Sequence, residues 1–563
     1  MKYTGFGVGT GVAFGEVLRM PDPLPEPADE RATGDAATEY ERAITALRET
    51  GEGLTARAAT VDGAAKNVLE SQAMMAADPS LAESIKAATE AGKTAERAVF
   101  ESFSSFAEML KSLGGYLAER ATDLGDVSQR VIALLRGVPA PEVPSSDTPF
   151  ILVAHDLAPA DTAKLDLSKV LALVTRDGSP KAHTGILAAE KGLPAVVAVK
   201  EADSLLDGLT ILVDAAKGQV ITEPTAERIA EAQAEIDRVA AMKAAPVEPG
   251  ELADGTPVQI LANIGKPADA ERAAALGAEG VGLFRTEFLF LDSDTAPTVE
   301  KQTADYTAAL AHFPDKKVVV RVLDAGADKP LAFLTEADEP NPALGLRGIR
   351  VLMKKEQILR DQLQALANAQ AATEAKVWVM APMVSDAHES EHFTSLAREY
   401  GLMTAGSMIE VPSAALLAEQ VLESSDFVSV GTNDLTQYTL AADRLLGSVA
   451  AFQDPWHPAV LRLIERIGEA GEHHQKSVGV CGEAAADPNL AIVLVGLGVR
   501  SLSMAPPAFV EVRAALKRVT LEQAKEIAHL AIFAKSAVEA KGRVVDALAT
   551  RGVITTAVPV VEV

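Results

Sequence analysis

The chain has a single cysteine, Cys481, among 563 residues, so no disulfide can form within it. That scarcity fits a reducing compartment, and a cytoplasmic location is expected. Aromatic residues supply only 4% of the sequence, with two tryptophans, so the cores must be built from aliphatic and alanine side chains. Positive charge is also short: 52 Lys and Arg stand against 79 Asp and Glu, a formal net charge of −27. A nucleic-acid surface needs clustered Lys and Arg, and this balance argues against one. A small phosphorylated ligand needs only a few cations focused in a cleft and stays open. Long apolar runs are missing too. The run "AIVLVGLGV", Ala491 to Val499, is far short of the roughly 20 residues that span a bilayer. The first residues, "MKYTGFGVGTGVAFGEVL", are interrupted by glycine and lack the apolar centre of a signal peptide. No membrane insertion is expected.

The length suits several domains. One or two short strands are predicted in the first twenty residues, before "PDPLPEPADE" breaks any regular structure. Apolar residues then recur at i, i+3, i+4 and i+7 as far as Gly137, with a break expected at Asp78-Pro79-Ser80. Strand patterns return after "VPAPEVPSSDTP". We therefore expect residues 28–143 to form an all-helical domain inserted into an α/β domain made of residues 1–27 and 144–222, because the first strands are too short to stand alone. Residues 223–250 hold a polar linker helix, "TAERIAEAQAEIDRVAAMKAA". From residue 251 to 563, eight short apolar runs alternate with helical segments: "VQILANI", "GVGLFR", "KVVVRVLD", "KVWVMAPM", "AGSMIE", "FVSVGTND", "VGVCGE" and "SLSM". Eight regular units predict a (β/α)8 barrel rather than an open sheet.

In such a barrel the C-terminal strand ends converge on one face. Reading those ends gives Asn263; Arg285-Thr286-Glu287; Arg321 with Asp324; Met383; Glu410; Thr432-Asn433-Asp434; Cys481-Gly482-Glu483; and Met504. Polar strand ends are ordinary, but arginines in the apolar contexts "GLFRTEF" and "VVVRVLD" are not, since a buried unpaired cation is costly. Planar guanidinium groups facing a pocket point to phosphate or carboxylate. Glu410 and Asp434, as oxygen-only ligands, would suit Mg²⁺, with Mn²⁺ as a substitute. Cys481 reads as a proton donor or nucleophile, or as a buried structural thiol.

The stretch "DGSPKAHTGILAAEKGLP" sets His183 at a helix start, after a Gly/Pro turn. There the macrodipole lowers an imidazole's pKa and keeps it neutral. A phosphate carried by that imidazole would lie against free helix N–H groups. Taken alone, a capping or packing histidine is the better reading.

"GSPKAHTGILAAEKGLPAVV" resembles the phosphohistidine segment of the PEP-utilising enzymes. "GVGLFRTEFLFLD", "NPALGLRGIR", "VGTNDLTQYTLAADR" and "VGVCGE" resemble the same family's PEP-binding barrel, and the domain order resembles its Enzyme I branch, from the sugar phosphotransferase system. The resemblance implies a swivelling phosphohistidine domain, an inserted helical domain that docks the carrier HPr, and a PEP-binding barrel that makes a homodimer. It implies that PEP phosphorylates His183, that the phosphoryl group passes to a histidine of HPr, and that pyruvate leaves. Arg285 and Arg321 would hold the phosphate, and Asn433 and Arg444 the substrate oxygens, with Arg347, Lys329 and Thr162 in support. Glu410 and Asp434 would ligate Mg²⁺, and Cys481 would exchange the proton at C3 of the enolate. The segments "LESQAMMAADP" and "LAERATDLGDVSQR" match the HPr-docking surface. Ser179, Pro180, Lys181 and Ala182 depart from the usual run before the histidine, as do Gly185 and Glu190 after it. A pyruvate phosphate dikinase or PEP synthase shares these modules but needs an ATP-binding domain for which the inserted block has no Gly-rich phosphate loop. A non-catalytic regulatory paralogue would not need the full set of chemical residues.

Overall fold

The computed structural model describes residues 1–9, 11–59, 64–113, 115–144, 146–157, 161, 165–166, 168–178, 183–244, 247–290, 295–326, 331, 333–334, 339, 341–444 and 447–551. The chain divides into two compact units, Met1–Asp237 and Arg238 onward. Among the described residues, no helix is long and apolar enough to cross a membrane.

The first unit contains β1 (Lys2–Thr4), β2 (Phe6–Val8) and β3 (Val12–Arg19), so the expected one or two N-terminal strands are three. The helices α1 (Ala36–Ala58), α2 (Ala64–Ala76), α3 (Pro79–Glu90), α4 (Ala95–Leu113) and α5 (Gly115–Arg136) follow. The chain then returns through β4 (Phe150–Ala154), β5 (Val170–Thr175), α6 (His183–Lys191), β6 (Ala195–Val197), β7 (Thr210–Asp214) and β8 (Gln219–Thr222). These strands form one sheet in the order β1-β8-β7-β3-β4-β5-β6-β2. Neighbouring strands β3 and β4 are parallel, with Val17 opposite Ile151 and Arg19 opposite Val153. All five helices are therefore an excursion between two adjacent parallel strands, and they bury a core of their own around Ile85, Val99, Phe103 and Val131. The break expected at Asp78-Pro79-Ser80 is the start of α3: the Asp78 carboxylate accepts the Ser80 N–H at 2.8 Å, and Pro79 takes the first helical position.

Alternate residues of β4 and β5 serve opposite faces of the sheet. Ile151, Val153 and Val174 join one buried cluster, and Leu152, Ala154 and Leu173 join the other. This two-sided burial explains why "FILVA" is a continuous apolar run rather than an alternating one.

The polar helix α7 (Ala226–Ala244) carries the division between the units within its length. Beyond it come β9 (Gln259–Ile264), β10 (Val281–Arg285), β11 (Lys317–Arg321), β12 (Lys376–Ala381), β13 (Ala405–Ile409), β14 (Phe427–Val430), β15 (Ser477–Val480) and β16 (Ser501–Met504). They close as a parallel barrel, β16 pairing with β9. The barrel interior is lined by Leu283, Val319, Met380, Met408, Phe427 and Cys481.

Candidate active site

Strand parity places the chemistry. Side chains two apart on a strand share a face, so the interior residues Leu283, Val319 and Met408 direct Arg285, Arg321 and Glu410 to the same inner side, one step nearer the C-terminal mouth. Arg285 and Arg321 end β10 and β11 and lie directly opposite one another in register. Like charges opposite each other on adjacent strands are unfavourable unless something negative stands before them. Each has a buried Nε without a hydrogen-bond partner among the described residues. Arg321 also pairs with Glu287 and lies 3.2 Å from Asp324. Arg285 has no ion pair among the described residues.

The motif "GTNDLTQYTLAADR" folds back on itself. The expected strand end Thr432-Asn433-Asp434 is a correction: β14 stops at Val430, and these residues open the helix Thr432–Leu440. Strand-end and helix-start residues are the same polar types, and no local pattern separates them. The helix start puts the Asp434 carboxylate where the macrodipole favours a negative charge. Ala441 then takes a left-handed φ of 51°, and the chain turns so that the Arg444 N–H donates to Gln437 Oε1 at 2.8 Å. Arg444 Nη1 thereby reaches Asp434 Oδ2 at 3.1 Å. Arg347, only 2% exposed, donates to both Asp434 oxygens at 2.8 and 3.2 Å and to Asp324 at 3.2 and 3.3 Å. It also meets the Tyr438 hydroxyl at 3.2 Å.

The mouth therefore collects four arginines (285, 321, 347, 444) and four carboxylates (Glu287, Asp324, Glu410, Asp434). Glu287 and Asp324 stand at sequence-visible strand ends, but nothing local identifies them as the counter-ions of Arg321 and Arg347. Burial works against charge on Asp434, yet Arg347 and Arg444 hold its carboxyl below the usual range. Glu410 is different. Burial, then the nearby charges of Asp434 and Asp324, push its carboxyl up to about 8. One Glu410 oxygen accepts the Met383 N–H at 2.7 Å, which Met383 presents by adopting a left-handed φ of 57°. The other packs against Gly431, where a Cβ would approach it to 2.5 Å. Burial is the larger cause of the upward shift, and Arg321 and Arg347 act against it. The oxygen-only donor pair Glu410 and Asp434 would suit a hard divalent cation.

Cys481 is buried just past β15, and its thiol lies 3.6 Å from the Val430 carbonyl. Burial pushes its pKa up to about 11, with Ser429 and the arginines Arg321 and Arg285 acting in the opposite sense. The group is thus a neutral thiol, suited to giving a proton rather than to attacking as a thiolate. Asn433 takes the Glu483 N–H at 3.3 Å, and Asn263 ties the Cys481 and Ser503 carbonyls together at 3.1 and 3.3 Å.

In the first unit, His183 is the first residue of α6, as expected of a helix start. The next residue anchors that turn: Thr184 Oγ1 donates to Asp156 Oδ1 at 3.0 Å, and Leu157 O lies 3.3 Å from it. Thr162 and Lys329, and the departures at residues 179–182, lie outside the described residues.

The chain matches three family profiles: "PEP-utilising enzyme, N-terminal" over residues 4–120, "PEP-utilising enzyme, mobile domain" over 147–218, and "PEP-utilising enzyme, PEP-binding domain" over 239–521. It is 50% identical over 540 residues to the phosphoenolpyruvate-protein phosphotransferase of Streptomyces coelicolor, spanning 95% of this chain and 97% of that one. The protein of the same name from Bacillus subtilis is 34% identical over 544 residues, with 92% and 95% covered. A solution structure of an Enzyme I protein aligns at 26% identity over 42% of this chain and 99% of that one, with a TM-score of 0.38.

Proposed function

The chain belongs to the PEP-utilising enzyme family, and from that premise we propose that it is a transferase moving the phosphoryl group of phosphoenolpyruvate, by way of His183, to a carrier protein. The observation that carries the donor half is the Arg285–Arg321 pair. Two arginines stand in register at adjacent strand ends, each with a buried Nε that has no hydrogen-bond partner among the described residues, and Arg285 has no counter-ion among them. That is a receptor for a dianion such as a phosphoryl group.

Phosphoryl transfer asks a protein mainly for charge neutralisation and positioning. Arg285 and Arg321 take the phosphoryl oxygens, while Asn433, in the first turn of the helix, and Arg444, which reaches back to Asp434, take substrate oxygens. Arg347 keeps Asp434 and Asp324 in place. Glu410 and Asp434 would hold Mg²⁺, which supplies charge neutralisation to the phosphate when bound. The P–O bond to C2 of PEP breaks as a P–N bond forms at the His183 imidazole, leaving the enolate of pyruvate. The Cys481 thiol protonates that enolate at C3 and regains its proton from solvent. His183 and the donor site belong to different compact units, so the cycle calls for a swivel of the His183 domain about the linkers at residues 144–150 and 222–250. The acceptor is a histidine of HPr, docked on the helical block. Met74, within the matching "LESQAMMAADP" stretch of α2, is 69% exposed there, and a polarizable methionine suits an adaptable contact. A homodimer through the barrel belongs to the same reading.

The test is incubation with labelled PEP and Mg²⁺, with and without HPr. Acid-labile, base-stable label on the protein that HPr removes is expected. Absence of label on the wild type, or equal label on His183→Ala, would sink the mechanism, and label dependent on ATP would replace it with a dikinase.

A further inference from the structure

Away from the barrel mouth, three side chains converge in a way that phosphoryl chemistry does not require. The helix Pro458–His474 ends in two histidines, and Gln475 terminates it with a left-handed φ of 53°. Consecutive helical residues point about 100° apart. Here both imidazoles nevertheless turn onto one oxygen of Glu419, which belongs to the neighbouring helix Ala418–Ser424. His473 Nδ1 lies 2.8 Å from Glu419 Oε2, and His474 Nε2 lies 2.9 Å from the same atom. The ring centroids are 5.1 Å apart. All three donor atoms fall within 4.8 Å of one another.

The two nitrogen–oxygen separations are a few tenths of an ångström shorter than a tetrahedral ion imposes. With bonds of about 2.0–2.2 Å to nitrogen and carboxylate oxygen, neighbouring donors stand roughly 3.3 Å apart. Slight spreading of the three side chains would seat an ion between them. Without one, two imidazoles compete for a single oxygen. The carbonyl end of the helix adds a negative field that favours a cation at this position. Lys476, the next cation along the chain, is directed instead to the Leu422 carbonyl.

We propose that Glu419, His473 and His474 form a binding site for a borderline transition-metal dication such as zinc, with water completing the tetrahedron. The two-nitrogen, one-oxygen donor set separates this site from the oxygen-only pair Glu410 and Asp434. Imidazole suits zinc, copper, iron or nickel, whereas magnesium takes oxygen ligands. The site also lies elsewhere on the barrel. His474 is followed closely by Ser477, where β15 begins, so the site belongs to the N-terminal ends of the strands. A bound ion would pin two outer helices together, stabilising the barrel without touching the reacting atoms.

The full chain, kept in excess Mg²⁺ to saturate the oxygen-only site, is titrated with Zn²⁺ by calorimetry and with Co²⁺ by visible absorption. The wild type is expected to bind one more equivalent of Zn²⁺ than the His473→Ala/His474→Ala double variant. It should also show intense tetrahedral Co²⁺ bands with no thiolate charge-transfer band. Glu419→Gln should weaken Zn²⁺ by about tenfold or more, since even partners of metal ligands contribute on that scale. All variants should keep Mg²⁺-dependent phosphotransfer, which reports an intact fold. Equal Zn²⁺ stoichiometry and affinity in wild type and double variant would overturn the proposal, as would a Co²⁺ spectrum that the double substitution leaves unchanged.

Discussion

Arg347→Met tests the charge network most directly, because Arg347 joins two buried carboxylates and reaches solvent with almost none of its surface. Removing one partner of a buried ion pair costs about 3–5 kcal/mol. Asp324 keeps Arg321 at 3.2 Å and Asp434 keeps Arg444 at 3.1 Å, so neither carboxylate is left alone. The expected loss therefore falls at the lower end, about 3 kcal/mol, or about two powers of ten in the folded-to-unfolded ratio. Its pH dependence has a definite sign. Asp434 is held below its ordinary pKa, so its contribution is present above the unfolded value and disappears as pH falls through the folded one. The variant loses the Arg347 share of that contribution. The gap between wild type and variant should be widest near neutrality and shrink below about pH 4. Both tryptophans, Trp378 and Trp456, belong to the barrel unit, so their emission during urea unfolding follows that unit alone. An unchanged midpoint would refute the reasoning, and so would a loss that persists undiminished in acid.

The carboxyl of Glu410, raised to about 8, gives the metal-free barrel stability at low pH that is lost as pH rises from about 4.5 to about 8. Mg²⁺ should restore it and Glu410→Gln should abolish the slope; thermal unfolding in chelator and in Mg²⁺ measures both, and a flat profile for the metal-free wild type would contradict the crowding argument. Cys481, its thiol raised to about 11 by burial, should resist iodoacetamide near neutral pH and react faster as pH climbs, as mass spectrometry would show. Cys481→Ala should keep PEP binding while pyruvate release falls by about 10²–10⁴-fold, the usual span for a lost general acid; unimpaired turnover would remove Cys481 from the mechanism.

Much of this architecture is written in local pattern. Eight apolar runs became eight barrel strands because a strand buried on both faces has to be continuously apolar, which short-range composition records. The inward aim of Arg285, Arg321 and Glu410 is likewise a matter of counting in twos from Leu283, Val319 and Met408. The pattern failed at "GTND", where helix start and strand end share the same residue types, and it undercounted the three strands before Met20 because glycine-rich pairs carry little hydrophobic signal. The resemblance to the PEP-utilising enzymes, rather than any local pattern, singled out His183 from other histidines at helix starts.

Only the tertiary structure decided which charge answers which. Glu287 faces Arg321 and Asp324 faces Arg347 because closing the barrel brings separate strand ends together, and that closure depends on pairings between distant residues. The same applies to burial, which makes Glu410 an easily protonated acid and Cys481 a reluctant one although neither is unusual in its own peptide context. It applies again to Glu419 and the two histidines, which meet only where two outer helices pack. Periodicity is a short-range property and was legible from the sequence; electrostatic environment is a sum over neighbours that only the folded chain supplies.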